Sequence, residues 1–460
     1  MNNKFQLSVR LKPELCTGCI NCIKHCPTQA IRVHKGKAHI IDRFCIDCGR
    51  CVRYCPQHAK VADHDPISVI KDYKYSIALP APALYAQFQN LSNVDYILNA
   101  LLSLGFDDVY EVSAAAELVS AASRDYMKKQ GDAPCFISSA CPSVVRLIRV
   151  KFPTLLPRLL PIKAPVEVAA EIAKKRAMKK TGLPEADIGV IFISPCPSKV
   201  SYAKFPLGIQ KSSIDKVIAI KDVYPLLLPH MNIPETKLKP LSNSGRIGLG
   251  WGHCGGEVGG LFTDSFLAAD GITNIIRVLE DLEDEKIKDI SFAELTACNG
   301  GCVGGILTVE NAYAAAPKTQ KLKKYQPVAK NRPEANPELS DIYWDSNIEY
   351  EPVFRLGNSF KESLTMLQEV DQLTTLFPGF DCGSCGAPTC RTLAEDIVRG
   401  DADINNCIHL LRSNVHELAK EIAELSKAQE ILDLLKRSEE ANKIHQHVQE
   451  LTEKLADYSL

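Results

Sequence analysis

Cys298-Asn299-Gly300-Gly301-Cys302-Val303-Gly304-Gly305 is the stretch on which the reading of this 460-residue chain turns. It places two thiols at a fixed spacing in a glycine-rich turn, which is half of a metal site. Far upstream, Ser138-Ser139-Ala140-Cys141-Pro142 and Ser194-Pro195-Cys196-Pro197-Ser198-Lys199 offer one thiol each. Together the three loops supply the four soft ligands that a [4Fe-4S] cube requires.

Sixteen of the eighteen cysteines fall into four sets of four, leaving Cys135 and Cys254. Two of the sets form an internal repeat: Cys16-x-x-Cys19-x-x-Cys22-x-x-x-Cys26-Pro27, then Cys45-x-x-Cys48-x-x-Cys51-x-x-x-Cys55-Pro56. This is the bacterial two-cluster ferredoxin spacing, in which the fourth cysteine of each run ligates the other cluster. Cluster one then takes Cys16, Cys19, Cys22 and Cys55, and cluster two takes Cys45, Cys48, Cys51 and Cys26. Zinc knuckles are disfavoured, because they use separated C-x-x-C pairs, not three cysteines in one tight loop. Hairpin strands are expected at 30–33 and 38–41, with Asp65-Pro66 as the boundary.

The order of the three central loops resembles the active-site domain of [FeFe]-hydrogenases. A single Cys precedes Pro, a second follows Pro with a Lys three residues on, and C-x-x-x-C sits in a glycine-rich turn. The match runs from about residue 67 to about 316. It implies an H-cluster: a [4Fe-4S] cube on Cys141, Cys196, Cys298 and Cys302, with Cys302 also bridging to a diiron subsite carrying CO, cyanide and an azadithiolate. Maturation enzymes would supply that subsite. Lys199 should donate a charged hydrogen bond to a cyanide ligand. Ser139, Pro195, Gly301 and Gly304 are the expected cofactor-contacting positions, the glycines because backbone must pass close to the cluster. The run 248–256, which ends in Cys254-Gly255-Gly256, resembles the family's other close-approach loop.

Departures from the family pattern concern protons. Ala140 stands where the family has a proton-shuttling cysteine, and Tyr202 where it has a proton-path glutamate; an unperturbed tyrosine titrates near pH ~10. Ser194 and Thr296 replace methionines, and Val144 a tryptophan, so a more polar pocket is expected. Splitting hydrogen needs groups with pKa values near ambient pH to carry protons away. The resemblance is therefore to sensory [FeFe]-hydrogenases with slow turnover, with Cys254 and Glu257 as substitute proton carriers.

From Tyr75 onward strand-like and helix-like stretches alternate, with strands expected at 76–79, 108–112, 135–139 and 188–193, and helices at 93–104, 114–129 and 164–180. That texture implies parallel α/β units whose sites lie at the carboxyl ends of strands. The expected architecture is an α+β two-cluster ferredoxin domain over 1–66 and an α/β H-cluster domain of two lobes over 67–316. A lysine- and proline-bearing connector follows over 317–352. Residues 353–409 hold Cys382, Cys385, Cys390 and Cys407, a spacing that resembles the small α-helical iron-sulfur domain of corrinoid proteins and membrane electron-transfer subunits, with zinc as the alternative. Residues 410–460 read as an amphipathic helix, either a coiled coil forming a homodimer or a helix packed on its own domain. Its step of four and three is interrupted around Leu432 and Leu435.

A formal charge of −1 with 24% charged residues leaves no large positive field, so no nucleic acid or anionic membrane surface is an indicated partner. No apolar run approaches the roughly 18 residues of a membrane span, so a cytoplasmic protein with metal-binding cysteines is expected. The expected partners are H2, a redox partner protein and a separate signalling protein. Two further readings are an ordinary hydrogenase in an electron-transferring complex, and a hydrogenase-like iron-sulfur protein lacking the diiron subsite.

Overall fold

A computed structural model describes residues 7–131, 135–333 and 341–456. It divides into two compact units, one ending at Arg355 and the other beginning at Leu356. The first six residues and Pro337 of the expected connector lie outside the described residues.

The cysteine repeat is built on two small antiparallel pairs. Strand β1 (Val9–Leu11) and strand β4 (Lys60–Ala62) pair with Leu11 opposite Lys60, and the hairpin of β2 (Ile31–His34) and β3 (Lys37–Ile40) pairs Ile31 with Ile40. Lys35 and Gly36 turn that hairpin at φ 49° and 71°, the left-handed pair that matches strand twist. The hairpin lies within one residue of its expected place.

Two parallel sheets follow. The larger has the order β6-β5-β8-β9, with β5 (Tyr75–Pro80), β6 (Asp108–Val109), β8 (Ile188–Ser194) and β9 (Lys216–Ala219). Every residue of β8 is buried, which explains its continuous apolar run, since a central parallel strand is covered on both faces. The smaller sheet has the order β10-β11-β7, with β7 (Phe136–Ile137), β10 (Phe266–Asp270) and β11 (Phe292–Thr296). Expected strands 108–112 and 135–139 shrink to two residues each. Beyond Val109 the chain turns at once into the helix Val112–Gln130, and beyond Ile137 into the Cys141 loop.

All three ligand loops leave carboxyl ends of parallel strands: the Cys141 loop follows β7, the Cys196 loop β8, and the Cys298 loop β11. Cys141 and Cys196 each cap a helix whose first residue is proline, Pro142–Lys151 and Pro197–Lys204. Proline suits that position because its missing N–H would have no partner there anyway. The positive end of each helix dipole consequently points at a thiol.

The described residues of the expected connector are tied to the rest of the first unit. The connector's beginning is helical, Ala312–Lys323. Beyond that, Pro327 and Val328 accept from Arg246 N and Ile247 N at 2.8 and 3.1 Å, and Glu117 Oε2 accepts from Lys330 N and Asn331 N at 2.8 Å. Further on, Trp344 N donates to Pro161 O at 3.0 Å, the Trp344 ring lies on Gly208, and Phe354 stacks on Phe44 at 4.8 Å. The connector's described residues are laid along the same compact unit.

In the second unit the helices Phe360–Leu376 and Cys390–Val398, capped by Ser359 and Thr389, enclose Val370, Phe377, Leu393 and Ala394. The helix Ile408–Ala456 runs unbroken for 49 residues, and from Leu411 to Lys454 every residue is exposed. Among the described residues no helix is long and apolar enough to cross a membrane.

Candidate metal centre

Cys141, Cys196, Cys298 and Cys302 share one electrostatic neighbourhood. Burial pushes the Cys196 thiol up to about 11 and Cys302 up to about 12, and it raises Cys298 well above the usual thiol range. After burial, the largest influences on Cys298 are the charges of Cys196, Cys141 and Cys302. Cys196, Cys298 and Cys302, buried and each raised further by neighbouring thiolate charge, cannot all ionise unaided. A polycationic iron cluster supplies the missing charge, and binding it drives the thiols to thiolates. By that chemistry the donor set fits a cube.

The glycines around it are also required by the packing of the loops. A Cβ at Gly301 (φ 84°) would strike the backbone of His253 and Cys254 at 2.6–2.8 Å, while at Gly304 and Gly305 it would strike the carbonyls of Asn299 and Pro195. The Cys298 loop is thereby pressed against both the Cys254 loop and the Cys196 loop.

Beside the thiols lies a cavity of about 70 Å³ onto which Cys141, Cys302, Ala140, Lys199, Pro195, Glu257, Glu294 and Thr296 open. Val112, Ala116, Phe192 and Trp251 form its apolar walls. Lys199 is 9% exposed and donates from Nζ to the Ala140 carbonyl at 3.1 Å. Ser139 does not face the cavity: its hydroxyl donates to Ile162 O at 3.0 Å. The expectation of a more polar pocket fails at Ser194, whose hydroxyl is spent on Cys196 O of its own loop at 3.0 Å. Tyr202 is buried away from the cavity, which holds its hydroxyl well above the usual range.

Of the two expected proton carriers, Cys254 is pushed up to about 12 by burial and by Glu294 and Asp270. It is neutral at ordinary pH. Glu257 opens onto the cavity and accepts from Ser138 Oγ at 2.5 Å. Burial first, then the charge of Glu294, raises it to about 8. Glu294 is not legible in the sequence as a site residue. It lies inside β11, its two oxygens accept from Gly255 N and Val258 N at 2.8 and 2.9 Å, and burial raises it to about 7. Its one signal is a carboxylate in a strand whose neighbours Phe292, Ala293 and Leu295 are all buried.

The other cysteine sets also gather. Cys16, Cys19, Cys22 and Cys55 line one cavity, with the first two and Cys55 among the charges felt at Cys22. Cys45, Cys48 and Cys51 each feel Cys26. Cys382, Cys385, Cys390 and Cys407 line a third cavity, and burial raises Cys385. Among the described residues no group of three or more His, Cys, Asp or Glu side chains is placed to hold a single metal ion. A cube spreads its thiolates around a multi-iron body, so the cysteine-ringed openings are the pertinent geometry.

The repeat docks directly on the central site. Asp47, 0% exposed, accepts from Ser8 Oγ at 2.6 Å, and that hydroxyl also lies 2.9 Å from Pro197 O; Arg53 donates to Gly304 O at 2.5 Å.

Comparison with known proteins gives three matches to family models. Residues 74–264 match the iron only hydrogenase large subunit, C-terminal domain; residues 8–56 a 4Fe-4S dicluster domain; and residues 377–409 a putative Fe-S cluster domain. The first match ends upstream of Cys298 and Cys302. Among solved structures, the [FeFe]-hydrogenase HydA(deltaEFG) aligns at TM-score 0.46 and 15% identity over 60% of this chain and 90% of that one. A single-residue variant of HydA1 from Chlamydomonas reinhardtii aligns at 0.45 and 16% over 58% and 88%. Short segments resemble a subunit of the ion-translocating oxidoreductase complex, at 54% identity over 39 residues in Tolumonas auensis and 45% over 38 in Azoarcus sp.. These segments are 8% of this chain, and they span 20% and 21% of those relatives.

Proposed function

We propose that the domain around Cys141, Cys196, Cys298 and Cys302 is the H-cluster domain of an [FeFe]-hydrogenase that splits hydrogen slowly and serves as a hydrogen sensor. The observation that carries this reading is the cavity beside the four thiols, with Cys302 and Lys199 on its wall and only the methyl and carbonyl of Ala140 where a shuttle thiol would stand. The diiron subsite, when bound, supplies the metal at which H2 is held and polarised.

The chain's own residues govern the surroundings. Phe192, Trp251, Val112 and Ala116 keep water out. Lys199 brings a fixed ammonium to a largely apolar chamber, which suits a compact anionic ligand. Glu257 holds a proton on a carboxyl raised toward neutral pH, where release and uptake are both accessible. Ser138 fixes Oε2 of that carboxyl. Nothing titratable stands at position 140, so a proton has no side chain to use on that step, and turnover is slow. Cys45, Cys48, Cys51 and Cys26, and beyond them Cys16, Cys19, Cys22 and Cys55, would hold cubes that could carry electrons outward toward a separate partner protein. The exposed apolar step of Ile408–Ala456 serves a second copy of the chain.

Infrared spectroscopy after maturation tests the reading. Bands in the CO and cyanide region that respond to H2, with turnover roughly a hundredfold or more below hydrogenases that carry the shuttle cysteine, are expected. Absence of the bands would leave an iron-sulfur protein without the diiron subsite. Fast turnover would favour a second reading, an ordinary hydrogenase in an electron-transferring complex. The Glu257–Glu294 pair and the short segments similar to the ion-translocating oxidoreductase complex lend that reading its support.

A further inference from the structure

The cysteine repeat is symmetrical in its ligands and asymmetrical in its charge. Laying the second run over the first puts Cys55-Pro56-Gln57-His58-Ala59-Lys60 on Cys26-Pro27-Thr28-Gln29-Ala30-Ile31. Ala30 and Ala59 do the same work, each donating its backbone N–H at 3.2 Å to the cysteine sulfur four residues before it. At the next position the copies part. Ile31 and Lys60 are equally buried, at 2% exposure, but one is aliphatic and the other ends in an ammonium.

Among the described residues that ammonium has no hydrogen-bond partner, and it is shut off from water. Lysine ordinarily extends its stem to reach solvent, and a buried unpaired charge costs several kcal/mol. Lys60 instead lines the opening ringed by Cys16, Cys19, Cys22 and Cys55. Its field is the largest charge influence on Cys22, whereas at Cys51 it ranks behind Cys48 and Cys26. The missing partner is an anion on the cluster-one side, and a cube held by four thiolates carries net negative charge.

We propose that Lys60 is the built-in counter-cation of cluster one and sets that cube at a higher reduction potential than cluster two, making it the resting place for electrons. The proposal rests on the reading that the repeat holds two cubes. Cluster potentials follow net charge and hydrogen bonds to sulfur, and a nearby cation favours the reduced, more negative state. One electron then leaves cluster two, oxidising it by one, and enters cluster one, reducing it by one, with no proton or other reactant. Cys19, the exposed thiol of the four, puts cluster one within reach of an external electron partner.

The test is a redox titration followed by electron paramagnetic resonance on the full chain, loaded with cubes but produced without maturation enzymes. Cys19→Ala removes a ligand of cluster one and marks its couple. Lys60→Met is expected to keep the iron content and to lower the reduced-to-oxidised ratio of that couple at least tenfold at fixed ambient potential, about 59 mV for one electron, while the other couples stay. Lys60→Arg, which keeps the charge, is expected to stay within roughly threefold of the parent. The proposal is overturned if no couple moves, or if Met and Arg move it alike. If Lys60→Met does not load cluster one, Lys60→Gln is read in its place, and loss of the cube in both makes Lys60 a structural residue and overturns the proposal. A parent chain lacking the iron and the spectrum of the two N-terminal cubes would refute the two-cube reading instead.

Discussion

Glu257→Gln isolates the least ordinary group beside the cavity. Glu257 is displaced from 4.5 to about 8 in the folded chain, and at about 1.4 kcal/mol for each tenfold change in proton affinity that is on the order of 5 kcal/mol. Glu294 occupies the same desolvated space, so about half of this belongs to Glu257 alone. The sign is set by the folded pKa lying above the unfolded one. The stabilisation is complete below the unfolded value near 4.5 and disappears as pH rises through about 8, because the folded chain must then either keep a proton that the unfolded chain has released or bury a charge. Glutamine has no proton to lose and still accepts from Ser138. Thermal unfolding of the cube-loaded chain, followed by circular dichroism at one scan rate, should show the parent losing more than the variant between about pH 5.5 and about pH 8.5. At roughly 1–2 °C per kcal/mol for a unit of this size, the excess is about 3 °C. Parallel pH curves would mean that Glu257 is an ordinary solvated carboxylate, and its place as a proton store would fall with them.

Three other outcomes are expected. Lys199→Gln should cut the CO and cyanide infrared intensity per chain by roughly 10–100-fold after maturation, as loss of a hydrogen bond to a charged group does, with cube iron unchanged; undiminished bands would separate Lys199 from the diiron subsite. Cys407→Ala should cost about four iron atoms per chain, one cube's worth, and leave zinc unaltered, whereas a matching loss of zinc identifies a zinc tetrathiolate. Leu418→Glu with Ile422→Glu should convert a dimer to a monomer in sedimentation without touching the infrared bands, and a parent that is already monomeric removes the second copy from the reading.

The residues that could be read in advance are those whose chemistry is local. Strand β8 is legible because seven consecutive buried positions demand an apolar run, and the ligand loops because cysteine, proline and glycine leave few alternatives. The region 324–354 misleads because lysine and proline suggest a connector. Its attachment is made largely by main-chain groups of Pro327, Val328, Lys330 and Trp344, which leave no mark in the side-chain pattern. Ser194 misleads in the opposite sense: a hydroxyl next to a ligand loop suggests a polar pocket, but a backbone carbonyl two residues on takes it first. Glu294 is hidden because a lone carboxylate within an apolar strand belongs to no motif, and only the fold brings Gly255, Val258 and Glu257 around it.

Buried charge also bears on how the clusters communicate. Arg146 is 5% exposed, donates to Ser198 and Ser201 hydroxyls at 3.3 and 2.8 Å, and is pushed down to about 10 by burial while Asp47, Cys45 and Cys196 pull it up. Asp47 in turn raises Cys45, Cys48 and Cys196. Buried charge of both signs is therefore felt at Cys45 and at Cys196, and if the two cysteine sets hold the proposed cubes, an added electron on one would be felt at the other through a medium with little water to screen it. In the reading proposed above, Lys60 biases cluster one separately. On that proposal the inner two centres would be coupled to each other and the outer one offset, which would suit the proposed reporting of a redox change outward better than the rapid carriage of electrons in both directions.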